Sequence, residues 1–351
     1  SAGSPASPRP KARPFARVRQ GEPGVEGAGP SSFRVLQRLG RGAFGEVFQV
    51  AHRGTRQLYA MKILRKDKVL TGNIRRYTLT ERNVLSFLRH PYIVSLHYAF
   101  QTKVHLVLVM EYCAGGNLQR LIEAERSLSE PWARLYAAEV LLALAHLHAR
   151  RIIFRDLKPE NVLLDAVGHT MMADFGLAKE GVGPQGTKSF CGSLAFLAPE
   201  VLLRQGHGRA VDLYGLGALL FAMMTGAPPF YHPERELLLR NIRSSRLRVP
   251  ADVPGAAADL IAGLLEREPA LRLGARETAD VQDHAFFAPV DFGALYRREI
   301  PPPDRAAAAV RAAEAARADS WSAADEEAGR RLLGVPALLR TGKGRWWPFP
   351  P

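Results

Sequence analysis

The stretch that most constrains this chain is Phe154-Arg155-Asp156-Leu157-Lys158-Pro159-Glu160-Asn161, followed a short hairpin later by Asp174-Phe175-Gly176. Asp156, Asn161 and Asp174 bring three acceptor groups onto two adjacent turns, with Lys158 among them. Moving a phosphoryl group calls for such a set. An aspartate orients a hydroxyl and accepts its proton, and a lysine neutralises charge on the transferring phosphate. An amide and a second carboxylate hold Mg²⁺. One such motif arises by chance; two, in this order and at this separation, seldom do.

Composition bounds the rest. The 351 residues suit one large two-lobed domain with tails, or two ordinary domains, and 47% apolar content excludes global disorder. Two cysteines, Cys113 and Cys191, are too few for a disulfide framework and suit a reducing interior, hence a cytoplasmic setting with room for nuclear access. No secretory apolar run opens the chain, and stretches such as Val104 to Met110 are too short to span a bilayer. The net charge of +14 raises nucleic acid or anionic membrane as partners. The arginines are scattered rather than interleaved with aromatics, so nucleic acid is not the expected partner. Peripheral membrane contact stays open, and the chain reads as a monomer.

In chain order, residues 1–32 are Ser, Pro, Gly, Ala and Arg without apolar periodicity, a disordered basic arm. Then Leu39-Gly40-Arg41-Gly42-Ala43-Phe44-Gly45-Glu46-Val47 lies between two β-prone runs, Phe33 to Leu39 and Val47 to Ala51. A dinucleotide fingerprint would open a helix here; a strand follows instead, so the loop is a hairpin lid whose backbone N–H groups can approach phosphate. Leu58 to Leu64 alternates as a strand with Lys62 inserted, the residue placed to pair with phosphates. Thr78 to Leu88 reads as an amphipathic helix carrying Glu81, the natural ion-pair partner of Lys62. Tyr92 to Phe100 and Val104 to Met110 are two more strands. Glu111 to Gly116 breaks the pattern as an inter-lobe linker, where backbone near Glu111 and Cys113 can hydrogen-bond an adenine sandwiched by Val47, Ala60 and Leu163.

Pro131 to Arg150 has the Ala/Leu stripe of a core helix. His146 and His148, two apart, fall on different faces, which argues against a metal pair. Glu180 to Phe190 is polar and Gly-rich, hence mobile, and residues 201–287 look helical. Asp212, in the apolar run Val211 to Met224, must find donors if buried. Arg272 is the expected ion-pair partner of Glu200. Beyond Pro303 comes an Ala/Arg/Glu helix, Asp304 to Ala318, and finally Trp346-Trp347-Pro348-Phe349.

These residues together resemble a serine/threonine protein kinase of the AGC group, nearest the branch of protein kinase B, the serum/glucocorticoid-regulated kinases and the ribosomal-protein kinases. The resemblance rests on Thr78-Leu79-Thr80-Glu81-Arg82-Asn83-Val84-Leu85, the aromatic before Arg155-Asp156, Ser189-Phe190-Cys191-Gly192, Ala198-Pro199-Glu200 and Gly226-Ala227-Pro228-Pro229-Phe230. It implies an α+β, bilobal fold: a small antiparallel β-sheet lobe with one key helix (33–110), a linker (111–116) and a larger, mainly helical lobe (117–287). A partly helical tail, 288–351, would follow. ATP would sit in the cleft with Mg²⁺ on Asn161 and Asp174.

The resemblance also implies roles. Asp156, Lys158, Lys62 and Glu81 would be catalytic; Leu39, Gly40, Gly42, Gly45, Val47, Ala60, Lys62, Glu111, Cys113 and Leu163 would hold ATP. Leu85, Leu96, Phe154 and Phe175 would stack as a hydrophobic spine. Ser189 would be the activating phosphosite, clamped by Arg155 and Lys179 and modified by an upstream kinase of the phosphoinositide-dependent type. Glu160 and Ser193 would contact basic-directed Ser/Thr protein substrates.

Four departures stand out: Asn117 and Ala222 replace acidic residues of the substrate groove, Leu213-Tyr214-Gly215 replaces a Trp-Trp-Ser run, and the terminal segment lacks a Phe-x-x-Phe-Ser/Thr-aromatic motif. That last absence gives no basis for expecting the tail to dock on the small lobe. The two rival readings are a non-catalytic pseudokinase scaffold and a small-molecule kinase. Retention of Lys62, Asp156 and Asp174 argues against the first, and the Ala-Pro-Glu segment against the second.

Overall fold

A computed structural model of the chain describes residues 28–41, 45–69, 73–182, 186–319 and 323–334. The described residues form two compact units, one within Ser1–Lys66, Tyr98–Val109 and Trp321–Pro351, the other within Asp67–His97 and Met110–Ser320. Most of the expected N-terminal arm, Gly42, part of the 180–190 segment and the terminal Trp346 to Phe349 lie outside the described residues.

The first unit is built on strand alternation. β1 (Phe33–Arg41), β2 (Gly45–His52) and β3 (Leu58–Arg65) pair antiparallel in sequence. With β4 (Leu96–Gln101) and β5 (His105–Glu111) they make a five-stranded sheet in the order β1-β2-β3-β5-β4. Successive side chains point to opposite faces, so Phe48, Val50, Met61 and Ile63 join Phe33, Val35 and Val107 in one buried cluster. Val47 lies opposite Lys62 in register, and Ala60 shares their side of β3. Those three therefore occupy the face turned away from that cluster. Only glycine fits where β2 begins: a Cβ on Gly45 would stand 2.1 Å from the carbonyl oxygen of Ile63.

In the second unit, α1 (Lys66–Val69) and α2 (Asn73–Phe87) follow β3, with α1 beginning at the boundary between units. Val84, Leu85 and Leu88 are buried as the expected helix face, and Glu81 is buried beside them. The second unit continues with β6 (Gly116–Asn117), α3 (Leu118–Glu125) and α4 (Glu130–Ala149). The hairpin of β7 (Val162–Leu164) and β8 (Thr170–Met172) comes next, then α5 (Pro199–Leu202) and α6 (Ala210–Thr225). α7 (Arg235–Ser244), α8 (Gly255–Leu264), α9 (Phe292–Tyr296) and α10 (Asp304–Asp319) complete it.

α6 is buried from Val211 to Met223, the condition that lets a helix be apolar on every side. It packs against both α4 and α8. Arg272 and Glu200 form the expected pair, fully buried and two-pronged at 2.7 and 3.0 Å. The guanidinium also lies over the Tyr214 ring, 5.2 Å from its centroid, so Tyr214 keeps an aromatic role within the altered run.

Two expectations need correction. The strand expected from Tyr92 starts only at Leu96. Tyr92 to Val94 instead pair with the β8 backbone, where Met172 N–H donates to Tyr92 and Val94 N–H to Met172. α2 packs on the 175–177 turn, and Ile93 bridges Met172. Finally, the tail does dock. A last helix, α11 (Ala323–Leu333), packs along β1, and Leu333 enters the core of the sheet unit. No described helix is long and apolar enough to cross a membrane.

Candidate active site

The site hangs from Asp212. Its carboxylate is buried, and the donors expected for it are two consecutive backbone N–H groups and one imidazole. Oδ2 accepts Phe154 N–H and His148 Nε2, both at 2.8 Å, and Oδ1 accepts Arg155 N–H at 2.7 Å. His148 is fixed in turn by Thr278, whose Oγ1 lies 2.6 Å from Nδ1. Sequence reading considered His148 only as half of a metal pair. The signal that could have found it was the buried carboxylate in need of a third donor.

This anchoring holds the loop in a conformation it would not choose alone. Arg155 has φ 73 and Asp174 has φ 61 and ψ 67, both in the left-handed region that costs a residue with a Cβ about 1 kcal/mol or more. Between them the β7–β8 hairpin sets the spacing of Asn161 and Asp174. Phe154 and Phe175 meet edge to face at 5.0 Å, and the two other expected spine residues, Leu85 and Leu96, are buried in the same unit.

Asp156 is nearly buried, and both of its oxygens are occupied. Oδ1 accepts Ser193 N–H at 2.9 Å and Ser193 Oγ at 3.0 Å. Oδ2 accepts Asn161 Nδ2 at 2.8 Å and faces Lys158 Nζ at 3.3 Å. Lys158 Nζ also donates to Ser193 Oγ at 2.6 Å. Asn161 spends its amide group on Asp156, whose carbonyl it also reaches at 2.8 Å. Its Oδ1 is thus the atom left to meet a cation, and Asp174 adds an exposed carboxylate. This all-oxygen set fits Mg²⁺, which takes one or two protein groups and completes its shell with water and phosphate.

Ser189 is exposed, and Arg155 Nη1 donates to its Oγ at 2.7 Å. The guanidinium is aimed by a second bond, from Nε to Leu177 O at 2.7 Å. Lys179 reaches a different hydroxyl, Thr187 Oγ1 at 2.6 Å, and that oxygen is 3.1 Å from Ser189 Oγ. The segment is tied down where Thr187 and His207 exchange two backbone hydrogen bonds of 2.8 Å.

The remaining candidates divide between the units. Leu39, Gly40, Gly45, Val47, Ala60 and Lys62 belong to the sheet unit; Glu81, Glu111, Cys113 and Leu163 belong to the helical one. Glu111 exchanges two bonds with the Ser95 backbone, at 2.9 Å through its own N–H and 3.3 Å through Oε2. Burial pushes its carboxyl upward and does the same to the Cys113 thiol. Glu160 is exposed. Asn117 caps α3, its Oδ1 accepting Arg120 N–H at 3.1 Å, whereas Ala222 is only 3% exposed.

Known proteins carry the same pattern. The protein kinase domain family matches residues 33–287. The chain is 42% identical over 275 residues to Protein kinase 2 of Dictyostelium discoideum, covering 78% of this chain and 57% of that protein. It is 40% identical over 301 residues to serine/threonine-protein kinase Sgk1 of Gallus gallus, covering 85% and 70% respectively. It is 43% identical over 282 residues to ribosomal protein S6 kinase beta of Caenorhabditis elegans, covering 78% of this chain and 51% of that one. The catalytic loop built on Asp212, the sheet-and-helix pair of units and these relatives together make the chain a member of the protein kinase family, with the bilobal fold of the AGC serine/threonine kinases.

Proposed function

We propose that this chain transfers the γ-phosphoryl group of ATP to serine and threonine hydroxyls of protein substrates. The observation that carries this reading is the Ser193 hydroxyl, held between Asp156 Oδ1 at 3.0 Å and Lys158 Nζ at 2.6 Å. A hydroxyl oxygen already rests where a base and a cation converge. A substrate hydroxyl entering there would give its proton to Asp156 while Lys158 offsets charge on the transferring group. Mg²⁺, when bound through Asn161 Oδ1 and Asp174, supplies neutralisation of the phosphate oxygens. On the sheet unit, Lys62 is the cation for the α- and β-phosphates, Gly40 and Gly45 let backbone N–H groups approach them, and Leu39, Val47 and Ala60 offer apolar surface to the base; on the helical unit, Leu163 offers apolar surface and the linker at Glu111 and Cys113 its backbone.

Phosphorylation of Ser189 by an upstream kinase would raise activity. Arg155 already donates to that hydroxyl, and Lys179 stands one hydroxyl away on Thr187. A phosphate dianion at 189 would draw both cations and tie the segment to the catalytic loop. Substrates would be basic peptides read through Glu160. Cys113 and Cys191, neither of them in a disulfide, suit a cytoplasmic enzyme with access to the nucleus.

The test is a Ser/Thr peptide library incubated with the purified chain, Mg²⁺ and γ-labelled ATP. Labelled serine and threonine peptides enriched in arginine are expected. Nucleotide binding without transfer to any peptide would favour the pseudokinase reading instead.

A further inference from the structure

The segment that carries Ser189 crosses the loop between α5 and α6 at one residue, His207, and the crossing is close. Thr187 and His207 exchange both backbone bonds at 2.8 Å as an isolated antiparallel pair. Gly186 leads into it with φ 63, where a Cβ would stand 2.6 Å from His207 O, so glycine is required there. Residues paired in this way put their side chains on one face, with Cβ atoms about 5 Å apart. The imidazole therefore lies beside the Thr187 side chain, whose hydroxyl takes Lys179 Nζ at 2.6 Å and is 3.1 Å from Ser189 Oγ.

Charges face the ring from every neighbouring element. His207 lines one small cavity of about 10 Å³ with Asp156, Cys191, Asp212 and Arg155, whose Nη1 donates to Ser189 Oγ at 2.7 Å. Glu200 acts on it from α5 and Lys179 from the Ser189 segment, while Lys188 lies against Gly206. The three carboxylates already serve other donors: Glu200 takes Arg272, Asp212 takes His148 and two backbone N–H groups, and Asp156 takes Ser193 and Asn161. His207 is 6% exposed, and among the described residues no group bonds its Nε2. A buried nitrogen in that state carries a desolvation cost that a new partner would offset. Burial first, then Arg155 and Lys179 against the pull of Glu200 and Asp212, hold the imidazole below its ordinary 6.5. The ring is thus uncharged at neutral pH. A phosphate on Ser189 would add a dianion next to Thr187, and an opposite charge that close raises an imidazole by about one to three pH units.

We propose that His207 is a positioning residue for the phosphorylated segment: the phosphate on Ser189 brings a proton from solvent onto the imidazole, and the imidazolium joins Arg155 and Lys179 in holding the segment against the catalytic loop. The proposal rests on the reading of Ser189 as the phosphosite. It makes activation by phosphorylation depend on pH. The contribution of the imidazolium is present below its raised midpoint and is lost as pH rises through it.

The test uses the full chain with either serine or phosphoserine at position 189, the latter introduced during translation. His207→Gln keeps both bonds to Thr187, because those come from the backbone. Peptide kcat/KM is measured from pH 6.5 to 8.5 for both forms of the wild type and of His207→Gln. In the wild type the ratio of phosphorylated to unmodified kcat/KM should be about two- to fivefold larger at pH 6.5 than at pH 8.5, and in His207→Gln it should not fall. The imidazole midpoint of His207, read by ¹⁵N NMR from the resonance that His207→Gln lacks, should rise by about one unit or more on phosphorylation. A midpoint that phosphorylation leaves unchanged, or a His207→Gln ratio that falls with pH as the wild-type ratio does, overturns the proposal. If phosphoserine at 189 leaves transfer at the unmodified level, the activating role of Ser189 fails, and the midpoint still decides whether His207 meets the phosphate.

Discussion

Asp212→Asn removes little volume and one charge, and the structure gives it a definite cost. The carboxylate serves three donors with two oxygens: Phe154 N–H, Arg155 N–H and His148 Nε2. Asparagine keeps one acceptor oxygen and turns the other into an NH₂ group. If its oxygen stays on Arg155, then Phe154 N–H faces a donor, in a site where Asp212 is 1% exposed, and His148 Nε2 keeps a partner only by moving its proton to Nδ1, against Thr278. Each buried donor left unsatisfied costs about 1–3 kcal/mol, so the change should destabilise by about 3 kcal/mol. For a domain of this size that is a fall in Tm of about 6–12 °C. The rate should fall further than the unfolded fraction explains, because Asp156 follows Arg155 directly and a shift of about 1 Å at a reacting group costs about 100-fold. Thermal unfolding and single-turnover transfer, both measured well below Tm, test this. A Tm within about 2 °C of wild type together with an undiminished rate would refute the anchoring argument.

Three further outcomes follow from the same geometry. Ser189→Ala should lower kcat strongly with little change in ATP affinity, since Arg155 loses its contact on the segment and not on the nucleotide; mass spectrometry finding the fully active enzyme unmodified at Ser189 would contradict it. Asn117→Glu should raise kcat/KM for arginine-containing peptides more than for alanine counterparts, at a cost of about 1 kcal/mol from the lost cap on Arg120 N–H. An unchanged ratio would mean that position 117 does not read the substrate. His90 is lowered from 6.5 to about 3, by burial first and then by His146 and Arg150. The unfolded chain binds that proton below 6.5 and the native chain does not, so stability should fall as pH drops from 6.5 towards 3. Denaturant unfolding of His90→Gln should show a pH slope in that window shallower by up to about 1.4 kcal/mol per unit, and equal slopes would refute the assignment.

The parts of the site legible in the sequence are those whose chemistry is local. Asp156, Lys158 and Asn161 lie within one turn of chain, so spacing alone brings them together. The need of Asp212 for donors was legible for another reason: a carboxylate in an apolar helix carries its own cost. The donors were less so, since His148 and Thr278 come from α4 and from a 3₁₀ turn 130 residues away. The Arg272–Glu200 pair was within reach because few other charges in that region had apolar neighbours. Lys179 was assigned to Ser189, but its position depends on how residues 186–189 cross His207, a backbone pairing with no sequence period.

α11 escaped for a physical reason as well. It binds the sheet through one glycine, two adjacent leucines at its end and two acidic side chains, so its apolar stripe is too short to announce a packed helix. Its acidic residues read as an ordinary solvated face until Arg34 and Arg38 are seen beneath them. Tyr92 to Val94 misled in the opposite sense. They alternate like a strand and do make ladder bonds, but with β8 and in parallel through a single bridge.

The central claim is that Asp156 accepts the proton of a substrate hydroxyl. It is tested most directly by single-turnover transfer from γ-labelled ATP to a Ser/Thr peptide, comparing the wild type with Asp156→Asn. The amide keeps the shape of the carboxylate, and its carbonyl oxygen can still accept the Ser193 N–H, which lies at 2.9 Å in the wild type. The new NH₂ group faces Asn161 Nδ2 and Lys158 Nζ, so folding and nucleotide affinity are measured alongside; at matched values of both, the transfer rate should fall by about 10²–10⁴-fold, the range a positioned general base supplies. Transfer by Asp156→Asn at the wild-type rate, with matched folding, would contradict the account.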